Sequence, residues 1–137
     1  MTEPILIVED DADLAEVVQF ALESRGFETS LARNGLEALA VVSDRMPSLI
    51  ILDMMMPIMN GWEFAQEFRA RFGHAAPILV VTAAENAKAR AQEIDAEAVL
   101  AKPFAPSALI ASVRRTLAQS QQVGAEPTTN GRPRQTT

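Results

Sequence analysis

Short apolar runs alternate with amphipathic stretches along the first 118 residues of the chain. Residues 5–8, 49–52 and 78–81 are runs of Ile, Leu and Val without polar interruption, which is typical of strands that are buried on both faces. Residues 27–32 predict a further strand, and residues 98–101 predict a weaker one. The pattern therefore predicts five strands, and a stretch with helical features follows each of them.

Apolar spacing and helix-end residues mark the five predicted helices. The first helix presents an apolar face and ends at Gly26. Asn34, with Glu37 three residues later, begins the second helix, and Pro106 suits the first turn of the last one. The third and fourth helices are predicted over about residues 61–71 and 85–94, and the last runs to about Ala118.

Regular alternation of strands and helices predicts an α/β fold with a parallel sheet covered on both faces. About 118 residues are too few for a (β/α)8 barrel, which needs about 250, so an open doubly wound sheet is expected. Ligands of such sheets bind outside the carboxyl ends of the strands. The residues that follow each predicted strand are therefore the first candidates for a functional site.

Residues 119–137 differ from the rest of the chain. They are rich in Gln, Thr, Gly and Pro, and only Val123 and Ala125 are apolar. No periodicity is present, so we predict one domain over residues 1–118 and a disordered tail or linker over residues 119–137. No helical DNA-binding unit can be built from this tail.

Composition narrows the possible functions. The chain of 137 residues has a net charge of −6, no cysteine and one histidine, which excludes disulfides, thiol chemistry and any site that needs two histidines from one chain. An acidic chain is a poor general binder of nucleic acid. No apolar run approaches the roughly 20 residues of a membrane span, and no secretory leader is evident. A soluble cytoplasmic protein is the expectation.

Polar side chains stand where four of the predicted strands end. The carboxyl edge of a parallel sheet would bring these groups together, and carboxylates without histidine or cysteine suit a hard ion such as Mg²⁺ or Mn²⁺. Such an ion also neutralises a phosphoryl group, and one carboxylate could accept that group as an aspartyl phosphate. The residues are Glu9, Asp10 and Asp11 after the first strand, Asp53 after the third, Thr82 after the fourth and Lys102 after the fifth.

Four segments of the chain resemble response-regulator receiver domains. They are residues 5–11 (ILIVEDD), residues 53–61 (DMMMPIMNG), residues 82–84 (TAA) and residues 102–104 (KPF). They occur in the family's order, about 40, 30 and 20 residues apart, and the resemblance covers roughly residues 3–118. The resemblance implies a flavodoxin-like sheet of order 2-1-3-4-5, a phospho-acceptor at Asp53, and a phosphohistidine donor on a sensor histidine kinase or a histidine phosphotransfer protein.

The resemblance also implies roles for the other polar residues. Asp10, Asp53 and the backbone carbonyl of Met55 would bind Mg²⁺, and Glu9 would act partly through water. Thr82 and Lys102 would contact the phosphoryl oxygens, and the Lys102–Pro103 peptide bond would be cis. Such a protein catalyses only its own phosphorylation and dephosphorylation and is not otherwise an enzyme. Its downstream partner would be a protein.

Four residues have structural interpretations. Asp11 matches no constant family position and is a candidate helix cap, and Gly61 is expected to permit a turn or a close backbone approach. Trp62 is expected to pack in the core or against the surface, close enough to the acidic pocket to report on it. His74 is expected on the surface.

The sequence departs from the family pattern in two places. Val99 occupies the position that in many receivers carries a Tyr or Phe, so the usual aromatic switch is in doubt. Ala108 and Ser112 stand where an acid and a base would be expected, and Lys88 is left without that partner. We therefore expect pairing of two receivers through the fourth helix, fifth strand and fifth helix to be weak or absent.

Three other functions compete with a phospho-acceptor switch. A degenerate receiver could act as a phosphorylation-independent binding module, and Val99 is the only residue in its favour. A phosphohydrolase with an aspartyl intermediate would place a second acid two residues after the nucleophile, where this chain has Met55. A flavin phosphate would be repelled by residues 9–11.

Overall fold

Five parallel strands form one sheet in the computed structural model, which describes residues 3–125. Their spatial order is β2-β1-β3-β4-β5. The predicted doubly wound fold and its strand order are therefore confirmed. The strands are β1 (Ile5–Val8), β2 (Thr29–Ala32), β3 (Leu49–Asp53), β4 (Ile78–Ala83) and β5 (Ala98–Lys102).

A helix follows each strand. A single 3₁₀ turn (Ala84–Asn86) precedes the fourth helix, which is only seven residues long. No helix in residues 3–125 combines the length and the apolar character that a bilayer crossing requires. The helices are α1 (Ala12–Glu23), α2 (Gly35–Asp44), α3 (Gly61–Phe72), α4 (Ala87–Glu93) and α5 (Pro106–Ala125).

Several predicted boundaries differ from the structure. Strand β2 begins at Thr29 and not at Phe27, because the Phe27 N–H donates to the Leu22 carbonyl and closes the end of α1. Helix α4 begins at Ala87, since the preceding residues form the 3₁₀ turn. Helix α5 continues to Ala125.

The length of α5 corrects the prediction for residues 119–125, which were expected to be disordered. The apolar stripe ends near residue 118, but Gln and Ala have good helix propensity and no proline interrupts the segment. The backbone therefore stays helical where apolar periodicity has ceased. The rest of the predicted tail, residues 126–137, lies outside the described residues.

The sheet separates two apolar cores. Successive side chains of a strand point to opposite faces, so Leu6 and Val8 pack toward α2, α3 and α4, while Ile5 and Ile7 pack toward α1 and α5. All four residues of β1 are buried, as expected for a strand covered on both faces. This burial holds the carboxyl ends of the strands in fixed register.

Side-chain caps begin the helices next to that edge. Asp11 Oδ1 accepts from the backbone N–H groups of Asp13 and Leu14 at 3.0 and 3.2 Å, which confirms Asp11 as a helix cap. At the start of α3, Asn60 and Glu63 form a reciprocal capping box with distances of 2.9 and 3.0 Å. These caps fix where the chain leaves the sheet.

Candidate functional site

The polar residues predicted from the sequence meet at the carboxyl edge of the sheet. Glu9 and Asp10 directly follow β1. The other three were expected just after their strands, but Asp53 and Lys102 are the last residues of β3 and β5, and Thr82 is the next to last residue of β4. Strand pairing therefore extends further than the apolar runs and holds these three side chains on sheet backbone.

Three carboxylates form the centre of the site. Glu9, Asp10 and Asp53 each offer one oxygen, and these oxygens lie within 4.8 Å of one another. Glu9 and Asp53 are 7% and 5% exposed, whereas Asp10 is open to solvent. Like charges at this separation repel by roughly 1 kcal/mol in water and more in a partly buried site, so the cluster favours a cation or a proton.

Lys102 supplies one positive charge to this cluster. Its Nζ lies 3.3 Å from Glu9 Oε1 and 3.6 Å from Asp53 Oδ1. The ammonium group thus bridges the ends of β1 and β3 from β5, which is not adjacent to either strand. One cation against three carboxylates leaves the site with an excess of negative charge.

Burial and the neighbouring negative charge both act on the pKa of Glu9. Burial raises this pKa most, and the neighbouring Asp53 carboxylate raises it further. The Asp11 N–H and the Lys102 ammonium lower it, but the net effect is a pKa of about 7. The Glu9 carboxyl group is therefore partly protonated near neutral pH, and a bound cation would favour its ionised form.

The donor set fits a hard divalent cation. The three carboxylates offer oxygen ligands only, and the exposed position of Asp10 leaves room for water ligands. Met55 follows in the loop after β3, where its N–H lies 3.4 Å from Asp53 Oδ1 and its side chain is exposed. The Met55 carbonyl stays a predicted ligand.

Gly61 brings the start of α3 against the end of β3. Its N–H donates to the Met54 carbonyl at 3.0 Å. A Cβ atom at this position would lie 2.7 Å from Met54 Cα and 2.8 Å from the Asp53 carbonyl oxygen. The expected close backbone approach is therefore confirmed, and it fixes the backbone that carries Asp53.

Three other features lie at or near the site. Thr82 is buried, with 6% exposure. The Lys102–Pro103 peptide bond is cis, as the resemblance implied. Val99 is half-buried in β5 and packs against the core on the α2, α3 and α4 side.

Sequence patterns missed two polar clusters. Trp62 is half-buried as expected, but its indole also donates to Glu93 Oε1 at 2.7 Å, 31 positions away in the chain. His74 is 56% exposed, and its Nδ1 lies 3.0 Å from Glu97 Oε2 while its Nε2 lies 3.5 Å from Asp95 Oδ2. No periodicity or motif joins residues so distant in sequence.

The fold and its acidic edge define a flavodoxin-like α/β protein of the receiver type. The family model described as "Response regulator receiver domain" matches residues 5–114. The chain therefore belongs to the response-regulator receiver family.

Curated relatives of the chain are response regulators. The chain is 37% identical to the DNA-binding response regulator MtrA of Mycolicibacterium paratuberculosis over 128 residues, which are 92% of this chain and 56% of that protein. It is also 37% identical to the response regulator MprA of Mycobacterium sp. strain KMS over 115 residues, 82% of this chain and 50% of that protein. The chain thus spans about half the length of these relatives.

Two solved structures match this chain over nearly all of their own length. A putative response regulator from Chloroflexus aurantiacus superposes with a TM-score of 0.80 at 32% identity, covering 86% of this chain and 99% of that one. The Vibrio cholerae chemotaxis protein CheY4 gives a TM-score of 0.76 at 31% identity, covering 85% and 99%.

Family membership sets the general function. The chain carries the receiver domain of a two-component response regulator. Receiver domains bind Mg²⁺ at an acidic pocket and interact with histidine kinases or phosphotransfer proteins, and this chain has an acidic cluster at the corresponding edge of its sheet.

Proposed function

We propose that this receiver is a Mg²⁺-dependent phospho-acceptor switch in which Asp53 takes a phosphoryl group from a phosphohistidine. The donor is a sensor histidine kinase or a histidine phosphotransfer protein. One observation carries the proposal: Asp53 is a buried carboxylate that lies within 4.8 Å of two further carboxylates and 3.6 Å from the Lys102 ammonium.

Transfer replaces one bond to phosphorus with another. An Asp53 carboxylate oxygen forms the new P–O bond, the P–N bond to the donor imidazole breaks, and its electron pair stays on the imidazole nitrogen. Glu9, Asp10, Asp53 and the Met55 carbonyl would hold Mg²⁺, which supplies charge neutralisation to the phosphoryl oxygens when it is bound.

Lys102 and Thr82 bind the phosphoryl oxygens that the metal ion does not contact. The position of Lys102 beside Asp53 supports a role for its ammonium in pairing with a phosphoryl oxygen once the acceptor is occupied. The buried Thr82 hydroxyl, at the end of the strand adjacent to β3, donates a hydrogen bond to another oxygen. The protein then returns to its starting state by hydrolysis and has no other substrate.

The receiver signals when a downstream protein binds one of its conformations more tightly than the other. A phosphoryl group shifts the protein between two conformations only if one conformation holds it better, and a downstream protein reads the difference. The acidic body of the chain, with a net charge of −6 overall, favours protein contact over direct nucleic-acid binding. The DNA-binding description belongs to the longer relatives.

Intact mass spectrometry tests the acceptor. Wild type incubated with acetyl phosphate and Mg²⁺ gains one phosphoryl group of about 80 Da, and EDTA prevents the gain. Asp53→Asn shows no gain, while Asp44→Asn, which changes an exposed acid at the end of α2, behaves as wild type. Label on Asp53→Asn at the normal rate would refute the assignment. No label on wild type, with Mg²⁺ still bound, would favour the phosphorylation-independent binding module.

A further inference from the structure

Trp62, Arg90 and Glu93 form a cluster between α3 and α4, which we name the α3–α4 clasp. The Trp62 indole donates to Glu93 Oε1 at 2.7 Å. Arg90 donates to both Glu93 carboxylate oxygens at 2.8 and 2.9 Å, and its guanidinium carbon lies 5.3 Å from the Trp62 ring centre. Each residue therefore contacts the other two, and one polar unit connects the two helices.

Helix α4 is short and packs against β4 and β5 mainly through small side chains. It is seven residues long, and its N-cap residue Asn86 makes no side-chain capping hydrogen bond. Its buried residues are Ala87 and Ala91, whose small side chains bury little apolar area, and Ile94 follows its last turn. The clasp thus adds a direct polar connection from α4 to α3.

The chain runs from the site to the clasp without a loop. Thr82 lies in β4, the 3₁₀ turn begins two residues later at Ala84, and α4 follows that turn directly. A displacement of Thr82 toward a phosphoryl group on Asp53 must therefore move the turn and strain the position of α4. Tightly packed elements transmit such shifts because they change between discrete arrangements.

The other end of the clasp is also anchored at the site. Trp62 is the second residue of α3, and the first, Gly61, lies against the backbone of Met54 and Asp53. The clasp therefore spans two segments that both begin at the acceptor edge. On the β5 side, Val99 is a short β-branched residue with no ring that could move in response to Thr82.

We propose that the α3–α4 clasp holds α4 in its unphosphorylated position and opens when Thr82 engages the phosphoryl group. The proposal rests on the proposed phosphorylation of Asp53. The clasp residues are partly exposed, with side-chain exposures of 28% for Arg90 and 44% for Glu93, so water competes for their bonds. Such a contact is weak enough to be opened by a new charge-assisted bond at the site.

Trp62 reports on the clasp directly. It is the only tryptophan and the chain has no tyrosine, so the intrinsic emission comes from Trp62. Fluorescence is followed after Mg²⁺ alone and then after acetyl phosphate, with intact mass measured on the same samples. The variants are Glu93→Gln and Arg90→Gln. Arg71→Gln is the matched control, because it breaks an exposed Arg–Glu pair within α3 that does not touch α4.

The clasp makes two predictions. Wild-type emission changes on phosphorylation, whereas Glu93→Gln and Arg90→Gln already resemble the phosphorylated state and change less. Both variants also gain label from acetyl phosphate about two- to fivefold faster, because each removes a charged partner of Trp62, so that opening breaks a weaker contact between α3 and α4. Arg71→Gln matches wild type in both measurements.

The two readouts separate the two proposals. If wild type gains mass but its emission is unchanged, or if the clasp variants label at the rate of Arg71→Gln, the clasp is refuted and the acceptor assignment stands. If wild type gains no mass, phosphorylation of Asp53 and the clasp proposal are both overturned. Faster labelling together with smaller emission changes in both clasp variants supports the clasp.

Discussion

Replacing Gly61 with alanine should damage both the stability and the chemistry of this receiver. The added Cβ would lie 2.7 Å from Met54 Cα, 2.7 Å from Met54 Sδ and 2.8 Å from the Asp53 carbonyl oxygen. Ordinary contacts between carbon atoms are about 3.5–4.0 Å, so roughly 1 Å of separation must be found. The Met54 sulfur can move, but the other two atoms are backbone.

The cost follows from that backbone displacement. Overpacking of a tight site costs about 1–3 kcal/mol. Alanine recovers part of this through its better helix propensity, worth at most about 1 kcal/mol and less at the first residue of a helix, which Gly61 is. We therefore expect the free energy of unfolding to fall by about 1–2 kcal/mol.

A second glycine provides the control. Gly73 has a φ of 61°, and a Cβ atom added there would meet no neighbouring atom within 4 Å. Gly73→Ala therefore carries a backbone penalty of about 1–3 kcal/mol and no clash. Urea denaturation should show similar losses for both variants, whereas only Gly61→Ala should slow labelling by acetyl phosphate. A Gly61→Ala protein as stable as wild type with an unchanged labelling rate would refute the argument.

Three further predictions concern charge and capping. Asp10→Asn should raise the free energy of unfolding in EDTA by up to about 1 kcal/mol, because one of three clustered negative charges is removed. The same variant should bind Mg²⁺ more weakly in a titration. Lower stability of the variant in EDTA would contradict the argument from charge repulsion. Asn60→Ala should cost about 1 kcal/mol in urea denaturation through loss of the α3 capping box, and an unchanged midpoint would count against that role. Burial raises the pKa of Glu97, but the Ile78 N–H, His74 and Arg69 together outweigh it, so the pKa is lowered below its ordinary 4.5. The ionised Glu97 therefore stabilises the fold above pH 4.5, and its advantage over Glu97→Gln should disappear as pH falls through the lowered pKa; an advantage that persisted in acid would refute this assignment.

Apolar patterning predicted the strands best where burial is complete. Residues of β1 and β3 are buried on both faces, so their runs of Ile, Leu and Val mark the strands clearly. At Phe27 the side chain is apolar, but its backbone N–H closes α1 and is not available to the sheet. At the end of α5 the reverse holds, because polar residues continue a helix after its apolar stripe has ended.

Some polar contacts of the molecule could likewise be predicted from the sequence, and others could not. Asp53, Thr82 and Lys102 could be found because each lies at the end of an apolar run, where topology brings strand ends together. The contact of Trp62 with Glu93 could not, since it depends on how α3 and α4 lie relative to each other. Neither residue lies in a motif that distinguishes it from an ordinary surface position.

The sheet also insulates one half of the molecule from the other. In β4, Ile78 and Val80 pack in the core on the α2, α3 and α4 side, while Leu79 and Val81 pack in the core on the α1 and α5 side. The strand itself is hydrogen-bonded on both edges, to β3 and to β5. Substitutions in opposite cores should therefore combine almost additively. Over evolution, the α1–α5 layer and the α2–α4 layer could each acquire new partners separately, while the acceptor at their common border stays unchanged.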